Sequence, residues 1–181
     1  MQTIAIPDWL DFPDLEKPYV EQIYDLREPK VSPGRVHARL QLRLASALDL
    51  WASERGEVGT EWRCYLIEGE ERASSLLPDI SYFSFERLPL SLPEDARERP
   101  RIAPDIAVEV LSPTDRRRIL EQKIALYLRH GCRVAIVVDP VKRTLTMHRG
   151  DASVTVAATG KITVEPYDDL TLDCDELFRG I

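Results

Sequence analysis

The chain has 181 residues, of which 44% are hydrophobic and 30% are charged, and its formal net charge at pH 7 is −7. These values are typical of a single globular domain with its own hydrophobic core, and they argue against an intrinsically disordered chain. The negative charge also argues against a protein that binds nucleic acid over most of its surface, because phosphates attract cations, although a local basic patch can coexist with it.

The cysteines and the apolar segments indicate the cellular compartment of the protein. Cys64, Cys132 and Cys174 are widely spaced and include no CxxC pair, which argues against a zinc site and a disulfide framework. The N-terminal stretch is acidic and lacks the apolar run of a signal peptide. No segment approaches the roughly 18 consecutive apolar residues that read as a membrane span. We therefore expect a cytoplasmic protein with no membrane partner.

The N-terminal part predicts an arm followed by one domain. Residues 1–18 contain three prolines and several acids, which favours an extended N-terminal arm. Residues 19–181 are then expected to form the single domain. Residues 19–26 alternate loosely between apolar and polar types and form a candidate short strand.

A helix is predicted next. Ser32 is a candidate N-cap and Pro33 suits the first helical position. Apolar residues then recur at helical spacing until Gly56 and Gly59, which are expected to end the helix. His37 lies near its start, either as a partly exposed polar residue or as a group beside an active site.

Two strands follow the helix. Residues 59–69 predict the first, and residues 76–85 predict the second. The second opens with Pro78 and Asp79. Proline cannot donate to a strand ladder and therefore belongs at the start of a strand. Asp79 is expected at the end of the sheet, as a turn residue or as a functional acid.

A proline- and charge-rich loop is predicted at residues 87–100. Loops of this length in a compact domain are often functional or mobile. Arg97, Arg99 and Arg101 are candidates for contacts with backbone phosphates, and plain solvent exposure is the alternative.

The stretch from residue 104 to residue 112, PDIAVEVLS, predicts a central strand. Glu109 stands inside its otherwise apolar run. Thr114 or Asp115 is expected to cap the following helix, which begins with arginines at positions 116–118. Cations in a first turn oppose the helix dipole, so these arginines are either compensated by a phosphate or simply exposed.

Lys123 is predicted to face the sheet. At about 100° per residue it falls on the apolar side of this helix, with Leu120, Ile124, Tyr127 and Leu128. A buried acid and a buried base are unfavourable unless they pair, bind a metal or take part in chemistry. Snorkelling of the lysine and a structural ion pair with Glu109 remain open alternatives.

The remaining chain predicts a β-rich end. His130 and Gly131 are expected to close the helix, and residues 133–140 form a continuous apolar strand typical of one covered on both faces. Strand, helix and strand in succession predict a right-handed crossover in a mixed sheet. Further predictions are a hairpin strand at 144–149, strands at 154–158 and 161–165, and a short strand with a last helical turn at 168–181.

Asp79, Glu109 and Lys123 form the candidate catalytic set. Carboxylates from adjacent strands can hold Mg²⁺ or Mn²⁺, which polarises a phosphodiester and lowers the pKa of bound water. A nearby lysine can orient or deprotonate that water or stabilise the leaving charge, and burial, which lowers a lysine's pKa, suits this role. Asp105, four residues before Glu109 on the same side of the strand, is either an alternative ligand or, beside Pro104, only a mark of the start of the strand.

The PD and EVLSP stretches, followed by KIALYLRHG and AIVVDP, resemble the Uma family of restriction-endonuclease-like proteins, part of the PD-(D/E)XK nuclease superfamily. The resemblance implies an α/β (α+β) fold: a mixed sheet flanked by helices, here with a β-rich C-terminal tail. It also implies Mg²⁺-dependent cleavage of DNA, with Asp79 as the PD aspartate and Glu109 as the second acid. The superfamily's lysine position is occupied by Leu111, so Lys123 from the next helix is the candidate replacement.

Alternative functions remain open from the sequence. The first is a metal-dependent endonuclease acting as a homodimer, in which two sites address the two strands of DNA. The second is a catalytically inactive protein that kept the fold for binding or assembly, and the third is a hydrolase of another phosphoester. The roles of His37, Glu61 and Asp105 are left undetermined.

Overall fold

The structure is a computed structural model, and it describes residues 19–30, 33–68, 72–113 and 115–181. The predicted arm at residues 1–18 and the candidate caps Ser32 and Thr114 lie outside the described residues. The division into an arm and a domain stays a prediction.

The secondary structure alternates short strands with a few helices. In chain order the described elements are β1 (Val20–Ile23), β2 (Leu26–Pro29), α1 (Arg35–Ala52), β3 (Gly56–Thr60), β4 (Cys64–Glu68), β5 (Arg72–Leu76), β6 (Ile80–Ser84), α2 (Glu94–Glu98), β7 (Ile106–Val110), α3 (Arg117–Arg129), β8 (Val134–Asp139), β9 (Thr144–Arg149), β10 (Ala152–Ala157), β11 (Lys161–Thr163), β12 (Thr171–Asp173) and α4 (Cys174–Leu177).

Among these residues, six strands form a mixed central sheet in the order β10-β9-β8-β7-β6-β3. β7 and β8 pair in parallel through the α3 connection, and the other neighbours are antiparallel. The predicted mixed sheet, the strand–helix–strand unit and the β8–β9 hairpin are confirmed. A smaller sheet, β2-β1-β5-β4, and the pair β11-β12 complete the β structure of the described ranges.

The alternation of side chains along β7 separates two cores. Ile106, Val108 and Val110 pack on the side of α1, with its leucines. Ala107 packs on the opposite side with the apolar face of α3. Because successive strand residues point to opposite faces, Glu109 shares the α3 side with Ala107. The sheet therefore directs this acid toward the helix that carries Lys123.

The stretch predicted as one strand at residues 59–69 is instead two strands, β3 and β4, in different sheets. Glu61 lies between them with a φ of 51°, so the chain turns there. Gly56 and Gly59 lie within β3 rather than ending α1, which already ends at Ala52. A Cβ at Gly56 would lie 2.3 Å from the carbonyl oxygen of Phe83, so this glycine permits a close approach of β6.

Helix starts differ from the sequence prediction. α1 begins at Arg35 with Gly34 at the N-cap and no side-chain cap, so Pro33 precedes the helix instead of opening it. Arg116 occupies the N-cap position of α3 without a side-chain cap. Asp115 accepts hydrogen bonds from the backbone and hydroxyl of Ser112 and so closes the preceding turn.

The predicted loop at residues 87–100 contains the short helix α2. Within it, Arg97 is paired with Glu57 and Glu94, so this arginine is held by acids. None of the helices in the described parts of the chain is long and apolar enough to cross a membrane.

Candidate active site

A cavity of about 320 Å³ opens where the β1–β2 hairpin meets the start of α1, the edge of the central sheet and α3. Six of its described lining residues form what we call the charged cluster. They are Glu21, Lys30, His37, Asp79, Glu109 and Lys123. The predicted set of Asp79, Glu109 and Lys123 is therefore found together in one cavity.

Asp79 and Glu109 come from paired strands. Asp79 directly precedes β6, and one further step along the β6–β7 pairing from Ile80 places it opposite Glu109. The Oδ2 atom of Asp79 accepts a 2.7 Å hydrogen bond from the backbone N–H of Val110, the residue after Glu109. Both acids are buried. The pairing of β6 with β7 thus brings two distant carboxylates to the same end of the sheet.

Asp79 has a basic side chain against each of its two oxygens. Lys30 Nζ lies 2.8 Å from Oδ1, and His37 Nε2 lies 3.1 Å from Oδ2. Burial alone would raise the pKa of Asp79, but Lys30 and His37 outweigh it and hold that pKa well below its usual range. In turn, the bond and charge of Asp79 overcome burial and raise the pKa of His37. Of the two interpretations of His37, the position beside the site is the one observed.

Glu109 is bound by Lys123 and Tyr127. Lys123 Nζ lies 2.7 Å from Oε1 of Glu109, and the Tyr127 hydroxyl donates a 2.8 Å hydrogen bond to the same oxygen. Burial raises the pKa of Glu109 to about 7, with Lys123 opposing that shift and Asp79 adding to it. Glu109 therefore exchanges its proton near neutral pH.

Lys123 faces the sheet, as predicted. Its Nζ contacts Glu109 and also lies 2.9 and 3.0 Å from the two carboxylate oxygens of Glu21. Burial by itself would lower the pKa of Lys123, but Glu109 and Glu21 outweigh it and raise that pKa. The expectation of a lowered pKa for Lys123 is therefore wrong, because the attraction of Glu109, followed by that of Glu21, exceeds the effect of burial. Lys123 remains a cation at neutral pH.

Residues 11–173 match the family Uma2, whose description reads "putative restriction endonuclease". The chain belongs to the Uma2 family. The resemblance found in the sequence motifs is thereby confirmed, over most of the chain.

A solved structure supports the same fold for this Uma2 chain. It is the crystal structure of a protein from Anabaena variabilis, described as a putative nuclease belonging to DUF820. The two chains superpose with a TM-score of 0.81 at 25% sequence identity, over 94% of each chain. The predicted fold class is confirmed. A comparison with curated proteins gave no match.

Two members of the charged cluster, Glu21 and Lys30, were missed by the sequence interpretation of this Uma2 protein. Both come from the β1–β2 hairpin, and both also bind the backbone of Leu77. Glu21 accepts from its N–H at 2.7 Å, and Lys30 donates to its carbonyl. No local signal marks Glu21 as buried, because it stands between Val20 and the polar Gln22 in β1 and a charged residue in a hairpin is usually exposed.

Asp105 is not a member of the charged cluster. It lies at the opposite end of β7, where it accepts a 2.8 Å hydrogen bond from the backbone of Ser84. Arg87 and Arg133 contact its Oδ1 atom at 3.3 and 3.2 Å. The suggestion that Asp105 is an alternative metal ligand is therefore wrong. Asp105 and Glu109 do share one side of the extended strand. However, four residues separate them, which at about 3.3 Å per residue is roughly 13 Å.

The arginines that start α3 lie close to the cavity of the Uma2 chain. Arg116 lines the cavity and is mostly exposed, with one contact to Glu28 at 3.2 Å. Arg117 is exposed and paired along the helix with Glu121. These arginines are therefore exposed, and compensation of their charges by a phosphate stays a prediction.

The donor chemistry of the cluster fits a hard divalent cation, because Glu21, Asp79 and Glu109 supply carboxylate oxygens. Across the described ranges, no three His, Cys, Asp or Glu side chains are already arranged to hold a metal ion. The ammonium groups of Lys30 and Lys123 bind the carboxylates instead. A divalent cation at this site therefore requires at least one ammonium group to move.

Proposed function

We propose that this Uma2-family protein is a metal-dependent endonuclease that hydrolyses phosphodiester bonds of DNA. The observation that carries the proposal is the meeting of Asp79, Glu109 and Lys123 in one cavity at the ends of paired strands. The family description and the nuclease description of the solved relative support it.

Asp79 and Glu109 are the residues that would hold Mg²⁺ or Mn²⁺. When bound, the cation supplies charge neutralisation at the phosphate and a more acidic water. Burial in the cavity strengthens the electrostatic interactions of these acids, because the local dielectric is lower than that of water. Their role is to position the cation, and Glu109 would bind it in its ionised form.

Lys123 acts as a fixed positive charge. Because its pKa is raised, it does not take a proton from water. Its ammonium stabilises the negative charge that develops on the phosphate during hydrolysis. Leu111, at the superfamily's lysine position, has an apolar side chain and cannot do so.

DNA is the proposed substrate and a second copy of the chain is the proposed partner. Arg116 lines the cavity, and the exposed Arg117 and Arg118 follow it at the start of α3; these arginines supply cations for backbone phosphates, within a chain whose net charge is −7. A homodimer would present two sites to two strands. Cys64, Cys132 and Cys174 are buried and free, which fits a reducing cytoplasm.

One observation favours a second candidate, a binding or assembly protein that kept the fold without the reaction. Each acid of the charged cluster already has a protein cation within 3.1 Å. Such an arrangement stabilises a folded protein without any ion, so Glu109 and Lys123 would then be a structural ion pair.

The test is a cleavage assay on plasmid, linear and single-stranded DNA with Mg²⁺ or Mn²⁺. We compare the wild type with Asp79→Asn, Glu109→Gln and Lys123→Met, and use Glu176→Gln, an exposed acid, as control. The proposal predicts cleavage by the wild type and the control, and a loss of about a hundredfold or more in each site variant.

The other outcomes separate the alternatives. Cation-dependent hydrolysis of a small phosphodiester without DNA cleavage assigns the protein to another phosphoester. Absence of hydrolysis together with absence of cation binding supports the binding or assembly protein.

A further inference from the structure

The ammonium group of Lys30 is bound by oxygen atoms. Its Nζ lies 2.8 Å from Asp79 Oδ1 and donates to the backbone carbonyl of Leu77. The side chain is 11% exposed, so the ammonium is largely removed from water. A carboxylate oxygen and a backbone carbonyl are also the ligand types that a hard divalent cation uses. Lys30 thus sits where a cation bound by Asp79 would sit.

We propose that Lys30 is an internal competitor for the divalent cation: its ammonium occupies the cation's place at Asp79, and the ion binds there only when Lys30 withdraws. This inference rests on the proposed function, because it concerns the ion assigned to the same site. It adds a residue from the β1–β2 hairpin, outside the motifs that identify the acids.

The charges of the cluster support competition. Glu21, Asp79 and Glu109 supply three carboxylates, which face the two ammonium groups of Lys30 and Lys123 and the ring of His37. The set is therefore close to neutral without any ion. Adding a divalent cation while both ammonium groups stay in place would bring like charges together in a buried site, which is unfavourable. One positive group must leave as the ion enters.

The contacts indicate that Lys30 is the group that leaves. Lys123 is held by two carboxylates, at 2.7 Å from Glu109 and at 2.9 Å from Glu21, and it projects from the middle of a helix. Among the residues that the structure describes, Lys30 has one carboxylate partner, and its second partner is a neutral carbonyl. It follows β2, an edge strand whose residues are mostly exposed. A long, flexible side chain there can turn outward toward water.

The experiment measures Mn²⁺ binding to the full chain by electron paramagnetic resonance of the free ion, without DNA. Lys30→Met keeps the length of the side chain and removes its charge. As the matched control, Lys142→Met removes an exposed lysine that does not line the cavity. We expect Lys30→Met to bind Mn²⁺ at least tenfold more tightly than the wild type. Lys142→Met should match the wild type, and Lys30→Arg, which keeps the charge, should not gain affinity.

The outcomes distinguish this inference from the proposed function. If wild type and Lys30→Met bind Mn²⁺ equally, or the variant binds more weakly, competition by Lys30 is overturned and metal dependence stands. If neither binds Mn²⁺, the metal dependence of the proposed function fails as well. Binding by Lys30→Met alone supports the inference most strongly, and adding Asp79→Asn to that variant should abolish it.

A second measurement uses the wild type and so does not depend on the folding of a variant. Amine-reactive labelling followed by mass spectrometry reports the accessibility of each lysine. Withdrawal of Lys30 predicts that saturating Mn²⁺ speeds its labelling severalfold and leaves the exposed Lys142 unchanged. An unchanged or slower labelling rate of Lys30 in Mn²⁺ would overturn the inference.

Discussion

Lys123 Nζ lies 2.7 Å from Glu109 Oε1, and the ammonium bridges this acid to Glu21 on the β1–β2 hairpin. Replacing Lys123 with methionine leaves two buried carboxylates facing each other without a cation. We predict that Lys123→Met lowers the free energy of unfolding at pH 8 by about 3–5 kcal/mol, the usual effect of removing one partner of a buried ion pair. Urea denaturation followed by circular dichroism measures it.

Lys142→Met is the control for that prediction. Lys142 is exposed and lies 3.4 Å from Asp139, so the change should be within about 1 kcal/mol. Equal stability of Lys123→Met and wild type would mean that the buried contact does not contribute to the fold.

Two tyrosines with buried hydroxyl groups allow a matched test of the hydrogen bond to Glu109. The Tyr127 hydroxyl donates to Glu109, whereas the Tyr167 hydroxyl has no hydrogen-bond partner in the described part of the structure. We predict that Tyr127→Phe lowers the free energy of unfolding by about 1.5–3 kcal/mol, as for a bond to a charged group. Tyr167→Phe should be neutral or slightly stabilising. Thermal and urea unfolding of both variants measure these free energies. Equal losses of stability in the two variants would contradict the prediction.

The raised pKa of Glu109 predicts that the free energy of unfolding depends on pH. Its pKa rises from an ordinary 4.5 to about 7 in the fold, so between these values the folded chain holds a proton that the unfolded chain has lost. Stability from this group is therefore present at low pH and is lost as pH rises toward 7, by about 1.4 kcal/mol per pH unit.

Glu109→Gln imitates the protonated side chain and isolates this effect from other titrating groups. We predict that wild type and variant have similar unfolding free energies near pH 4.5 and that the wild type falls progressively below the variant by pH 7. Denaturation series across this range measure the difference. A difference that stays constant with pH would show that Glu109 does not titrate there.

Removal of divalent ions should stop cleavage without unfolding the protein. The charged cluster is internally paired, so the fold does not need an ion to neutralise its acids. We predict that excess EDTA abolishes DNA cleavage, that added Mn²⁺ restores it, and that the circular dichroism spectrum stays the same. Loss of the spectrum with EDTA would indicate a structural ion instead.

The sequence was informative where a pattern is local. The period of α3 placed Lys123 toward the sheet, and the apolar run around Glu109 predicted a buried acid in a central strand; both are observed. The roles of the three predicted catalytic residues stay predictions. Glu21 could not be assigned to Lys123, because 102 positions separate them and a charged residue in a hairpin is usually exposed.

The position of Gly56 shows what a local sequence pattern does not predict. Gly56 was interpreted as the end of a helix, because glycine is common there. A glycine is needed at this position because the backbone of Phe83 on β6 lies too close for a side chain. No local pattern predicts such a contact between strands. The same limitation explains why two strands were merged at residues 59–69, since their separation depends on which sheet each one joins.

The β1–β2 hairpin has a practical consequence for anyone who trims or fuses this protein at its N-terminus. A fragment starting at residue 33 would retain the entire central sheet of the described residues and the PD, EVLSP and AIVVDP motifs. Yet it would leave Asp79 without its lysine and Lys123 with half of its counter-charge. Such a fragment would contain the sequence motifs of the family but would lack two of the charged groups that neutralise the buried cluster.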